Sequence, residues 1–308
     1  MTVTTATTTT TPASRSGNTA AGNAGDTAGP PPGTSRRRAR AGRPRARGAG
    51  LLAAALLTLP LLTSCDAMDT MLGKAADGAL DCTRYQEDAP KGGAPLLMLY
   101  LDVSDNSPEN ASRISEGLRP YFDAALREGQ YIRLVASGGG DAGLTSSDCL
   151  DGGAVFRIDR NNDTREAKDR TAATDALTEE VDHIVQGEQV RPTGSVTGLL
   201  SGVNDEIATL RAAPGVEIGA VTVVVWSDLL GTGQASDCLN VDGKKASVQI
   251  AEAMVRRCFS PETQQLTPIA NSKVRFIGVN EGAATRPQQD IARYLKGELC
   301  RRISSDCG

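Results

Sequence analysis

The sequence predicts an α/β domain: a three-layer arrangement with a mostly parallel central sheet, helices on both faces and one antiparallel edge strand. Three observations carry that reading. Two runs, Leu96–Val103 (LLMLYLDV) and Val216–Trp226 (VEIGAVTVVVW), are apolar nearly throughout, as strands buried on both faces are. Segments with helical apolar spacing separate the strand-like runs. The resulting order, β-α-β-β-α-α-β-α-β-α, is the alternation from which parallel crossovers are built.

Each element has a local reason. After the first strand, Ser107-Pro108 starts a helix, with Ser as N-cap and Pro in the first turn. Ile114, Leu118, Tyr121, Phe122, Ala125 and Leu126 form its apolar stripe, and Gly129 closes it. Tyr131–Ala136 is the second strand. Ser137–Gly153 is a Gly/Ser/Asp loop. Its Gly138, Gly140 and Gly143 match a dinucleotide-type glycine spacing, but the helix that such a site needs does not follow. Ala154–Ile158 is a short strand, read as the hairpin partner of the second. Asp163–Val185 is a polar helix that buries Ala173, Leu177, Val181 and Ile184, and Pro192-Thr193-Gly194 ends it. Val196–Leu210 is the next helix. The second buried strand then ends at Ser227-Asp228. Ser247–Cys258 is helical and Val274–Val279 is a strand. Thr285 and Gln288 form a capping box for a last helix lined by Ile291, Tyr294, Leu295 and Leu299.

The 308 residues divide unevenly by charge. Residues 1–64 hold eight Arg and one acid, whereas the remainder holds 25 basic and 36 acidic residues. Residues 1–35 are mostly Thr, Gly, Ala, Pro and Ser and offer little to bury. A basic block from Arg36 to Arg47 precedes an apolar run from Leu51 to Cys65, the layout of a secretory signal. The run is too short for a comfortable membrane span. Three segments follow: a leader and signal over 1–64, a tether over 65–94 and a folded domain over 95–308.

Seven cysteines fit export. With Cys65 set aside, Cys82, Cys149, Cys238, Cys258, Cys300 and Cys307 form an even set. Roughly fifteen pairings of six cysteines exist; the most local are Cys300–Cys307 and Cys238–Cys258, which leave Cys82–Cys149. The only histidine, His183, reads as a solvated helix residue, so a Cys/His metal cluster is not expected.

Three resemblances add to this reading. Leu62-Thr63-Ser64-Cys65 resembles the lipobox of bacterial lipoproteins, which implies acylation (palmitate) of Cys65 and a lipid anchor on the extracytoplasmic face of the cell membrane. The Ala-, Gly-, Arg- and Thr-rich composition resembles that of high-GC actinobacterial chains. The element order over about Pro95–Cys300 resembles the von Willebrand factor A domain. That family holds a divalent cation on an Asp-x-Ser-x-Ser motif, a Thr of a Gly-Thr loop and a second Asp after a buried strand. Here the first motif reads Asp102-Val103-Ser104-Asp105-Asn106, with Asn106 in place of the second Ser. Gly194-Ser195 stands at the Gly-Thr position, with Thr197 as a nearby alternative, and Asp228 closes VVVWSD. The resemblance implies a metal set of Asp102, Ser104, Asn106, Ser195 and Asp228 for Mg²⁺, or Mn²⁺ or Ca²⁺. All five are oxygen ligands, as hard cations require.

Other chemistry is not supported. No nucleophile elbow, Walker A sequence or H-E-x-x-H occurs. An acidic domain with few basic clusters does not suit nucleic acid. The expected function is therefore binding of a protein or envelope ligand by a lipid-anchored domain, through the loops at the strand C-termini, and not catalysis. A metal-free interaction domain, a solute-binding lipoprotein and an envelope enzyme are the alternatives.

Overall fold

In the computed structural model, the described residues are 86–87, 92–138, 143–144, 147–156, 158, 162–188, 195–233, 235–279, 281 and 285–308. The leader, the Cys65 lipidation site, Cys82 and Gly194 lie outside them. In chain order the elements are β1 (Gln86–Glu87), β2 (Ala94–Asp102), α1 (Pro108–Glu128), β3 (Tyr131–Ser137), β4 (Gly143–Leu144) and β5 (Asp151–Phe156). They continue with α2 (Asp163–Gly187), α3 (Val196–Ser201), α4 (Val203–Ala212), β6 (Ile218–Trp226), α5 (Val248–Cys258), β7 (Ser272–Ile277), α6 (Arg286–Ile303) and β8 (Asp306–Cys307).

The sheet runs β1-β5-β3-β2-β6-β7-β8, with β4 paired on β3. Strands β3, β2, β6, β7 and β8 are parallel. Strand β5 runs antiparallel to β3, as expected, and the two-residue β1 extends the ladder beyond it. The chain leaves β2 towards β3 on one side and later returns to β6 on the other. The order therefore reverses between the carboxyl ends of β2 and β6, the place where open α/β sheets present ligand sites.

Strict alternation along β2 builds both outer layers. Leu96, Met98 and Tyr100 join Val221, Val223, Val225, Val274 and Phe276 under α3, α4, α5 and α6. Leu97, Leu99 and Leu101 join Ile132, Leu134, Val224 and Trp226 under α1 and α2. A slip of one residue would exchange the two sets, so burial on both faces fixes the register. Each fully buried aliphatic side chain contributes roughly 2 kcal/mol, and β2 alone places Leu96, Met98, Leu99 and Leu101 at 0% exposure.

Trp226 shows how tightly the β6 end is packed. A methyl group on Gly117 of α1 would overlap the indole ring, and one on Gly278 would lie 2.9 Å from it. Gly278 also has φ +76°, which suits glycine alone. On the opposite face Arg133 is buried and pairs with Glu206 of α4 at 2.6 Å.

Several local features differ from expectation, among them β1, which lies in the segment read as a tether. The helix expected over Val196–Leu210 is two helices, because Gly202 interrupts it and a glycine weakens a helix interior. Strand β5 starts at Asp151 rather than Ala154. The loop over Ser137–Gly153 contains β4 and a single 3₁₀ turn at Asp148–Leu150. Strand β8 was not expected: the Cys300–Cys307 disulfide folds the tail back so that it pairs with β7. The second local pairing, Cys238–Cys258, also forms. Cys149 is disulfide-bonded as well, while the Cys82 end of the expected pairing lies outside the described residues. No helix among the described residues is long and apolar enough to cross a membrane.

Candidate functional site

The last residue of β2 is Asp102, and Ser227 and Asp228 follow the last residue of the neighbouring β6. Parallel pairing of Leu101 with Trp226 brings these ends to the same level. Ser227 is buried; its hydroxyl donates to Asp102 Oδ2 at 2.7 Å and accepts the Leu229 amide at 2.9 Å. Asp228 Oδ1 accepts the Leu230 amide at 2.9 Å. Between these two amides, buried Leu229 holds φ +60°, a left-handed conformation that costs a non-glycine residue roughly 1–2 kcal/mol. The turn that presents Asp228 is thus held in a strained form by its own side-chain hydrogen bonds.

The electrostatics of this rim are unfavourable. Burial pushes the Asp102 carboxyl up to about 6; the Ser227 hydrogen bond opposes the shift, and the Asp228 charge adds to it. Burial also raises Asp228, against the amide hydrogen bonds it accepts. No Lys or Arg among the described residues pairs with either acid. Two half-buried carboxylates therefore adjoin without a compensating cation from the protein. Positive charge placed between them would lower both.

The rest of the predicted metal set is arranged differently. Ser104 is exposed, two residues beyond Asp102. Asn106 donates its amide to the Glu188 carbonyl at the end of α2, at 3.0 Å. Asp105 and Ser107 form the start of α1: Asp105 accepts the Ser107 amide at 2.9 Å and its hydroxyl at 2.7 Å, and Ser107 caps the Asn110 amide. The Ser107 hydroxyl holds the Asp105 carboxyl below its ordinary range. Ser195 caps α3 through the Gly198 amide at 2.9 Å and donates to Asp237 at 2.9 Å. Thr197, the alternative hydroxyl, also donates to Asp237. The structure thus brings Asp102 and Asp228 together, and gives the side chains of Asn106 and Ser195 other partners.

The adjoining acids Asp102 and Asp228 are of the oxygen type that a hard divalent cation takes, and would need neutral oxygens and water to complete its shell. Among the described residues no group of three or more His, Cys, Asp or Glu is placed to hold a metal ion. Two residues that hydrogen-bond to the predicted set escaped the sequence reading. Ser227 had a visible signal, since it precedes Asp228 at the end of a buried strand. Asp237 had none: only the fold shows that it meets residues forty positions away.

No protein-family model matches the chain, and no curated protein matches it. Among solved structures, the chain is similar to proximal thread matrix protein 1 (PTMP1) from the mussel byssus, described with a zinc-occupied MIDAS motif. The identity is 10% and the TM-score 0.27, over 70% of this chain and 48% of that one. It is also similar to the pilus adhesin SpaC from Lactobacillus rhamnosus GG in an open conformation, with 8% identity and a TM-score of 0.32. That match covers 72% of this chain and 28% of the adhesin. The chain therefore spans less than half of either of these proteins. Strand order and the two core layers make the domain an α/β fold with a mostly parallel sheet, helices on both faces and an antiparallel β5.

Proposed function

We propose that this chain is an extracytoplasmic interaction module, anchored to the cell membrane of a bacterium (of actinobacterial type) through acylated Cys65. It captures a protein or cell-envelope ligand at the rim formed by the β2 and β6 ends. The observation that carries this reading is the Asp102–Asp228 pair: two raised carboxylates at the topological switch point with no Lys or Arg among the described residues paired to them. A divalent cation held there would supply an open position for a carboxylate of the partner. Asp102, Ser104 and Asp228 hold and orient it, and Ser227 positions Asp102. In this reading the domain acts as a binder.

Calorimetric titration of Mg²⁺, Mn²⁺ and Ca²⁺ into the oxidised protein tests the reading. Saturable binding with one site, lost in Asp102→Ala, is expected. Equal heats in the wild type and the variant would remove the cation from the mechanism. The engagement of Asn106 and Ser195 by other partners favours a second reading, a metal-free module that binds by surface shape. Partner capture that survives chelation would select it.

A further inference from the structure

We propose that the cleft between the loop after β6 and helix α5 binds a small aliphatic carboxylic acid, whose carboxylate is held by Lys244 and Arg257 and whose stem covers Met254. The cleft shares no residue with the rim at the β2 and β6 ends, and the inference does not depend on a cation there.

The cleft has a volume of about 440 Å³, within the range of small-molecule sites. One wall is the loop between Gly233 and Lys244; the other is α5, through Ala253, Met254 and Arg257. The Cys238–Cys258 disulfide joins loop to helix, so a covalent bond sets their spacing. Cys238 and Met254 are buried and give the cleft an apolar base.

Hydrogen bonds shape the loop wall before any ligand arrives. Asn240 Oδ1 accepts the Asp242 amide at 2.7 Å, Asp242 Oδ2 accepts the Gly233 amide at 2.7 Å, and the Lys244 amide donates to the Val241 carbonyl at 3.0 Å. The Cys238 amide donates to Gln265 at 2.8 Å, and the Val241 amide donates to the Gly231 carbonyl at 2.9 Å. A wall held in this way has little ordering left to undergo on binding.

The charges that line the cleft are treated unequally. Asp237 is buried and accepts the Ser195 and Thr197 hydroxyls and the Leu239 amide. Asp242 Oδ2 accepts the Gly233 amide and, at 3.5 Å, the Asn240 side chain. Lys244 and Arg257 form no ion pair or side-chain hydrogen bond among the described residues, although the adjacent Arg256 lies 3.6 Å from Glu252 one turn back. The acids are engaged and the cations are not, so the charge left to a ligand is positive. An inorganic anion would leave the Met254 base uncovered and bring more negative charge towards Asp237 and Asp242. A carboxylate on a short aliphatic stem suits both parts, since a guanidinium takes a carboxylate through paired N–H donors and the stem is removed from water.

The test is an amide NMR titration of hexanoate into the oxidised full chain at about 0.15 M salt, with acetate, hexanamide, inorganic phosphate and a capped glutamate peptide as comparators. Saturable shifts at Gly233, Ala253 and Met254 are expected, with hexanoate bound at least about tenfold more tightly than acetate or hexanamide. Lys244→Gln and Arg257→Gln should each weaken hexanoate about fivefold, and the double variant more than either. Lys245→Gln, adjacent in sequence but outside the cleft lining, should change it less than about twofold. The three side chains are exposed, so these variants keep the fold, which thermal melting verifies. Absence of saturation, equal binding of hexanamide, or a loss in Lys245→Gln equal to that in Lys244→Gln overturns the site. Tighter binding of phosphate overturns the carboxylate assignment, and tighter binding of the peptide overturns the small-molecule one. None of these outcomes bears on the cation titration of the β2–β6 rim.

Discussion

Two acidic regions lie in the loops that follow strand ends of this domain, and they are treated in opposite ways. Asp237 is buried and receives two hydroxyls and a backbone amide. Asp102 and Asp228 are only half-buried. Asp102 accepts the Ser227 hydroxyl, Asp228 accepts a local backbone amide, and each remains raised by burial. A carboxylate that a fold needs for structure is surrounded by donors. A pair that is left short of donors is the kind of arrangement on which the proposed cation site rests. The contrast separates a fully satisfied acid from an undersatisfied pair more sharply than exposure does.

The largest break in that contrast is Asp237→Ala. It strands two hydroxyls and one amide in a buried site, so a loss of about 4 kcal/mol in urea unfolding is expected, at the upper end of single-site effects. Replacement of Cys238 and Cys258 by Ser should follow, because the bridge closes a loop of 20 residues. About 3 kcal/mol is expected from loop-closure entropy, measured in the same assay.

Asp102→Asn should act in the other direction. The folded carboxyl titrates near 6 and an unfolded aspartate near about 3.9, so the native state holds the extra proton between these values. Stability of the cation-free protein therefore falls as pH rises through that window, and the loss is complete above about pH 6. The amide removes this penalty, with a gain of about 2 kcal/mol near pH 7 and none near about pH 3. The same variant should abolish cation binding. For the wild type, cation affinity should weaken as pH falls below about 6, as Asp102 takes up its proton. The smallest effect belongs to Ser227→Ala. Loss of its hydroxyl should raise the Asp102 titration further and cost about 1 kcal/mol, read by carboxyl NMR and by unfolding.

Most of the fold was legible in the sequence because burial on both faces leaves a simple trace. LLMLYLDV and VTVVVW have no other economical reading. Asp102 and Asp228 were singled out by the family resemblance, at the ends of those runs. The short strands were not. Two-residue β1, β4 and β8 carry no periodic signal, and β8 exists because a disulfide returns the tail to β7. Gly202 divides a helix whose apolar period continues across it. Ser195 was legible as a hydroxyl before a helix, but its partner was not, since Asp237 lies forty-two residues on. Spacing reports which residues share an element, and only tertiary structure reports which acid claims a hydroxyl.

The most direct measurement is thermal unfolding of the wild type and Asp102→Asn, at about pH 5 and about pH 7.5, with and without Mn²⁺. The account predicts that, without cation, the variant gains on the wild type as pH rises. It also predicts that Mn²⁺ raises the wild-type midpoint at the higher pH and leaves the variant unchanged. Parallel pH dependence in the two proteins, with no wild-type response to Mn²⁺, would contradict the claim that Asp102 and Asp228 form an uncompensated cation site.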